Sequence, residues 1–256
     1  MKSLVLTAKM ACIGKLNDGV FPLFAGFALK IVALVPLVFL WRGLAASGAD
    51  LGGLSLAQLL SYSCLSAMLQ RLLNLRTAAS DWNYDGQLGD LFRQPLPIFG
   101  QIIAREAGGW LPELALFSLP MALFLPLLGV DLWPKTPWFF PSLLLSVSLG
   151  FAVDFLFVCL AIRIQHVAWA IHSIRFAIVS LLSGALIPFD LLPFSLGKVL
   201  QWLPFGSLAA APLSLFVGSG DVAAQLAAQL LWNALLWPLA AFLFAKSRER
   251  MVSYGG

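Results

Sequence analysis

The stretch LLSGALIPFDLLPFSLGKVLQWLPF, residues 181–205, decides how this chain is read. It is apolar enough for lipid, yet Pro188, Pro193 and Pro204 forbid one straight helix through it. Proline removes a backbone donor and clashes with the preceding turn, at about 3 kcal/mol in a helix interior. Backbone broken at bilayer depth survives only where protein or a water-filled cavity satisfies its polar groups. The segment therefore predicts a broken element sheltered by the rest of the chain.

Composition sets the class around it. Of 256 residues, 60% are hydrophobic and 11% charged, with mean hydropathy +0.90. Soluble domains carry about 25% charged residues, so this chain could not cover a water-facing surface. The expected fold is all-α, a polytopic membrane protein in one domain over residues 1–256, with no repeat or soluble domain. The net charge of +4 is no nucleic-acid signal, because Lys and Arg of membrane proteins collect on cytoplasmic loops. No nucleic-acid partner is expected.

Spans need about 20 mostly apolar residues. They fall at Val20–Trp41, Leu54–Gln70, Glu106–Leu128, Trp138–Ile162, Arg175–Leu192 and Val222–Ala245. Phe205–Val217 is apolar but too short, so charge must separate six spans from seven. With six spans and both termini cytoplasmic, 12 of the 16 basic residues lie inside and Arg42, Lys135 and Lys198 outside. A seventh span would move Lys246, Arg248 and Arg250 outside, against the positive-inside rule. Six spans are expected. Before them, MKSLVLTAKMACIGKLND looks like a signal peptide, but Lys9 and Lys15 cut its apolar run. It reads as an interfacial helix with Lys2 and Lys9 on one face.

Catalytic chemistry finds no footing. His166 and His172 do not share a helix face and have no acidic neighbour in sequence, so no metal site is expected. Cys12, Cys64 and Cys159 are scattered and odd in number, which argues against disulfides or zinc. No HExxH motif and no phosphate loop occur, and Ser183 lacks the preceding glycine of a serine nucleophile. No catalytic residue and no cofactor bound by this chain are expected. The ionisable residues Lys30, Glu113 and Asp154 lie inside predicted spans, where an unpaired charge costs at least a few kcal/mol. Lys30 pairing with Asp154 or Glu113 is the plain reading; a polar pathway or a proton relay are the others.

The loop DWNYDGQLGDLFRQPLP, residues 81–97, is built for docking. Asp85-Gly86 makes a turn, and Leu88, Leu91 and Phe92 share one helical face. Pro95 and Pro97 stop the helix before the next span. It either lies on lipid or meets a protein partner, and its acidic residues suit an anionic membrane surface poorly. Replacing Leu91 or Phe92 by Asp is expected to spare the membrane fold.

In layout the chain resembles the membrane subunit of type-2 ABC exporters, and more closely a poorly characterised bacterial subfamily of six-span permeases. DGQLGDLFRQPLP at 85–97, SGALIPFDLLPFSLGKVLQWLPF at 183–205 and RERMVSYGG at 248–256 carry the likeness. Gln94 departs from it, since relatives tend to have Arg directly before Pro. The resemblance implies a bacterial cytoplasmic (inner) membrane location. It also implies a coupling helix in which Asp85, Gly86, Leu88, Leu91, Phe92, Arg93 and Pro95 dock into an ATPase subunit. Two ATPase copies carrying ATP and Mg, and a second permease, identical or related, would complete the complex among membrane lipids. A gradient-driven secondary transporter using Lys30, Glu113 and Asp154 is the alternative.

Residues 181–205 then become an extracytoplasmic re-entrant hairpin between spans five and six. The fifth span should end near Pro188, Ser195–Leu203 should form a short helix, and Phe205–Val217 should re-cross partway. By resemblance the hairpin caps the outer end of the pathway, with Gly184, Pro188, Pro193, Trp202, Pro204 and Phe205 as gate residues.

Overall fold

The computed structural model describes residues 2–17, 19–84, 87–164 and 168–253. Expectations resting on Asp85, Gly86 and His166, and on residues 254–256, lie outside the described residues. The fold is helical, with no strand among the described residues. Helix α1 (Lys2–Asn17) precedes α2 (Val20–Ala46) and α3 (Leu56–Leu73). Two short helices follow, α4 (Ala79–Tyr84) and α5 (Gln87–Phe92). Then α6 (Ile98–Glu113) continues through a π-helical turn, Leu114–Ser118, into α7 (Leu119–Phe124). The rest of the chain forms α8 (Phe139–Arg163), α9 (Ala168–Leu182), α10 (Leu196–Trp202), α11 (Ala210–Val217) and α12 (Val222–Ser253).

Among the described residues four helices are long and apolar enough to cross a membrane: Phe24–Ala46, Ile98–Phe124, Phe139–Arg163 and Val222–Ser247. The second of these begins at Ile98, not at the expected Glu106. Charge at Arg105 and Glu106 looked like a membrane boundary, but Glu106 is buried and ion-paired with Arg71. The helix instead starts after Pro97, whose extended backbone caps it. Helix α9 ends at Leu182, short of the expected Pro188, because Gly184 adopts φ +76° and leaves the helical path.

Helix α3 is not among these four, and its surroundings are protein. It opens with a capping box, in which Ser55 and Gln58 satisfy each other's backbone N–H groups. Tyr62, Ser61, Ser63 and Ser66 are all buried, so its polar side chains meet protein and not hydrocarbon. Helix α8 is the centre of the molecule, packed by α3, α4, α9, α11 and α12. Its Ser142, Ser146, Leu149, Ala152 and Phe155 are fully buried. The seam with α12 is hydrogen-bonded, Gln229 Nε2 to the Ser142 carbonyl at 3.1 Å and Trp237 Nε1 to Ser148 Oγ at 3.0 Å. Such interhelical bonds help hold helices together where lipid removes the hydrophobic drive between them.

Helix α1 lies along α6. The approach is close: a Cβ on Gly108 would run into the Ala8 carbonyl. Glycine is required there by contact, not by φ. The other side of α1 exposes Val5, Leu6, Met10 and Ile13. Helix α2 turns Leu34 and Trp41 inward and leaves Phe21, Leu29, Val32 and Phe39 exposed. That distribution suits a helix with lipid on most of its circumference.

Candidate functional site

Four ionisable side chains line up across α2, α3 and α6. Lys30 Nζ on α2 pairs with Glu113 Oε1 at the end of α6. Arg71 on α3 pairs through Nη2 with Glu106 Oε1, and its Nε lies 4.0 Å from Glu113 Oε2. Trp110 Nε1 donates to Glu106 Oε1 at 3.3 Å, and Lys30 Nζ sits 4.5 Å from the centroid of the Phe117 ring. An isolated charge in this setting would be costly, and alternating signs remove that cost. The π-helical turn begins directly after Glu113 and places Phe117 under Lys30. Single π turns inside helices frequently mark functional positions.

The chain borders an open cavity of about 480 Å³. Lys30, Arg71, Arg76 and Glu113 line one part of it, and His172, Arg175 and Phe176 of α9 line another. Sequence reasoning placed Lys30 with Glu113 or Asp154, and Glu113 is the partner found. Asp154 lies elsewhere, fully buried on α8, with Arg175 Nε 3.2 Å from Oδ1. Thr77 supplies Oδ2 with two bonds, from its backbone N–H at 2.9 Å and from Oγ1 at 2.6 Å. Arg71, Glu106, Thr77 and Arg175 were missed as site residues. Arg71 and Arg175 stood at the ends of expected spans and read as loop charges, and their partners are 35 and 21 residues away along the chain.

The expected docking segment turns two of its apolar side chains inward. Leu88 and Leu91 are 2% and 1% exposed, packed with Ile102, Phe155 and Val158 in the core. The apolar face of α5 therefore anchors the segment to its own bundle. Gln101 reinforces it, its side-chain amide donating to the carbonyls of Leu91 and Leu96, both at 3.0 Å. Phe92 is half-buried, while Gly89, Asp90, Arg93 and Pro95 are exposed. Asp90 and Arg93 pair with each other at 3.3 Å. What this segment offers outward is polar backbone and a charge pair.

The proline-broken stretch is sheltered by protein. Tyr62 Oη donates to the Gly184 carbonyl at 2.7 Å, and Ser66 Oγ to that of Ala185 at 2.6 Å. The Ala210 N–H reaches the Ser183 carbonyl at 2.8 Å. Phe189 plugs the fold, and a Cβ on Gly184 would lie 2.9 Å from its ring. Pro188 and Pro193 each head a short 3-10 turn. Trp202 is exposed, and its carbonyl accepts from Trp232 Nε1 at 3.0 Å. Pro204 leads to Phe205, which packs on Leu149, Val179 and Leu208. Helix α10 falls within the expected Ser195–Leu203 helix, and α11 is buried almost throughout against α3 and α8. Pro188, Trp202, Tyr62 and Asp190 border a small pocket of about 80 Å³ beside this stretch.

Four helices long and apolar enough to cross a membrane, joined to their neighbours by ion pairs, mark a helical membrane protein. No known protein family matches the chain, and no curated protein matches it.

Proposed function

We infer that the chain is the permease subunit of an ATP-driven type-2 ABC exporter in a bacterial cytoplasmic membrane. In this reading α3 and α9 are the second and fifth of six spans, and both termini are cytoplasmic. The α10–α11 hairpin lies re-entrant at the outer face as a gate. ATP and Mg belong to a separate ATPase, present twice, beside a second permease. This chain is not itself an enzyme.

The observation that carries the reading is the order of elements. Helix α1 is laid along α6, and the helices α2 and α3 precede the short pair α4–α5. The helices α6 to α9, the broken stretch with α10 and α11 and a last helix α12 then follow, in the order that the resemblance implies. The α4–α5 pair supports it physically, since Leu88, Leu91 and the Asp154–Thr77 bonds tie it firmly to α8. A segment so anchored can pass a push from a partner into the bundle. In place of the expected apolar docking face, the exposed Asp90, Arg93 and Pro95 form the contact.

Tagged protein purified from its native membrane should bring down an ATPase, and Arg93→Glu, which leaves the buried anchor of α5 intact, should weaken that capture. Absence of any ATPase would refute the exporter. The ion-paired chain Lys30–Glu113–Arg71–Glu106 favours a second reading, a gradient-driven transporter. Uptake or release that stops with a proton uncoupler but survives ATP depletion would select it.

A further inference from the structure

The cavity between α2, α3 and α9 has a distinct chemical character. Lys30, Arg71, Arg76 and Arg175 line it against Glu113, the one carboxylate among its described lining residues. The other acidic partners are set back from it. Asp154 and Glu106 are buried behind Arg175 and Arg71, and Asp81 pairs with Arg76 outside the cavity lining. The charges balance in number, but the surface facing the void is cationic.

The arginines also keep donors in reserve. A guanidinium has five N–H groups in a planar fork. Arg76 donates Nη2 to Asp81 and Arg71 donates Nη2 to Glu106, while Arg175 Nε faces Asp154 as an ion pair at 3.2 Å. The remaining N–H groups of the more open Arg71 and Arg76 suit an oxyanion, which arginine binds bidentately. At about 480 Å³ the void is within the ~300–1,000 Å³ range of small-ligand sites.

The flanking surface is apolar. On α2, exposed Leu29 and Ile31 bracket Lys30; on α9, exposed Ile174 and Phe176 bracket Arg175. A molecule whose head reached the cations would keep its tail against these helices.

We propose that this cavity receives the anionic, phosphate- or carboxylate-bearing head of an amphiphile, with its apolar part lying along α2 and α9. This names a cargo class for the exporter reading and rests on that reading for the role as cargo.

Binding is measured on the purified full-length chain in detergent, titrated with short-chain phosphatidylglycerol, short-chain phosphatidylcholine and glycerol 3-phosphate. Phosphatidylglycerol is expected to bind about tenfold or more tightly than either of the others, as charge-assisted bonds and tail burial both contribute. The diagnostic variant is Ser173→Asp. Ser173 is an exposed lining residue on α9 whose Oγ only caps the Trp169 carbonyl at 3.1 Å, so no ion pair is lost. It should weaken phosphatidylglycerol binding about fivefold or more by like-charge repulsion, while Ser173→Asn keeps it. Equal affinity for the two lipids, or wild-type binding by Ser173→Asp, would overturn the anionic head. Glycerol 3-phosphate binding as tightly as phosphatidylglycerol would overturn the amphiphile. No ATPase is present in this measurement, so its failure is distinct from failure of the ATPase capture.

Discussion

Asp154 and Arg175 meet at 3.2 Å with side chains only 1% and 3% exposed. The pair joins α8 to α9, and Thr77 closes the third side from the loop that leads into α4. Three elements are thereby fixed by one carboxylate. A buried ion pair is a weak source of net stability, since desolvation offsets most of its attraction. Breaking it is another matter.

Asp154→Asn leaves Arg175 charged and unpaired, and is expected to cost about 3–5 kcal/mol. Thermal unfolding of the purified protein in detergent reads this as a lower midpoint. Asp154→Leu combined with Arg175→Met removes both charges and should lose markedly less than the single change. A double variant as unstable as the sum of the two singles would show that the two side chains do not act as a pair.

The α5 segment separates anchoring from docking. Leu91→Ala empties a site that is 1% exposed and should cost about 2–5 kcal/mol. Leu91→Asp buries a carboxylate there and should cost more, so the expectation that the fold tolerates it is reversed. Arg93→Glu changes only an exposed pair with Asp90. Its melting midpoint should stay near wild type, since such pairs contribute about 0–1 kcal/mol, while ATPase capture falls. Normal capture by Arg93→Glu would remove the exposed edge of α5 from the contact.

The residues differ in how plainly the sequence announced them. Pro188, Pro193 and Pro204 announced a broken segment because proline acts locally, through its own ring and missing N–H. The partner of Lys30 was legible too, since Glu113 was one of two acids placed inside spans. The burial of Leu88 and Leu91 was not, because helical spacing reveals that an apolar face exists and not which neighbour covers it. Arg175 and Glu106 were hidden for a related reason. A charge at a helix end reads as a membrane boundary until its partner, supplied by another helix, is known.

Gly184 holds the turn after α9 by two separate constraints. Its φ of +76° is left-handed, and a Cβ would also lie 2.9 Å from Ala210 Cβ. Gly184→Ala should cost about 1–2 kcal/mol from handedness alone, with the clash added. Gly89 is the control: a Cβ there meets no atom within 4 Å, and helical Gly→Ala is favourable by about 0.8–1 kcal/mol. Gly184→Ala should therefore lower the unfolding midpoint and Gly89→Ala should not. A stable Gly184→Ala would mean the turn after α9 is free to rearrange.

The Lys30–Glu113 pair divides the two functional readings most sharply. Both side chains are partly sheltered, at 17% and 25% exposure. Glu113→Gln strips Lys30 of its partner and also removes the carboxylate 4.0 Å from Arg71 Nε, leaving two adjacent cations with less compensation. In a structural pair the loss appears as instability, and Lys30→Met together with Glu113→Leu should recover most of it. Export driven by ATP should then continue in the double variant, because no proton has to move through that carboxylate. In a gradient-driven carrier the same double variant would be stable and inert, having lost the group that takes up and releases the proton. Stability and transport measured on the one double variant therefore point to different mechanisms, and the exporter reading stands on its remaining active.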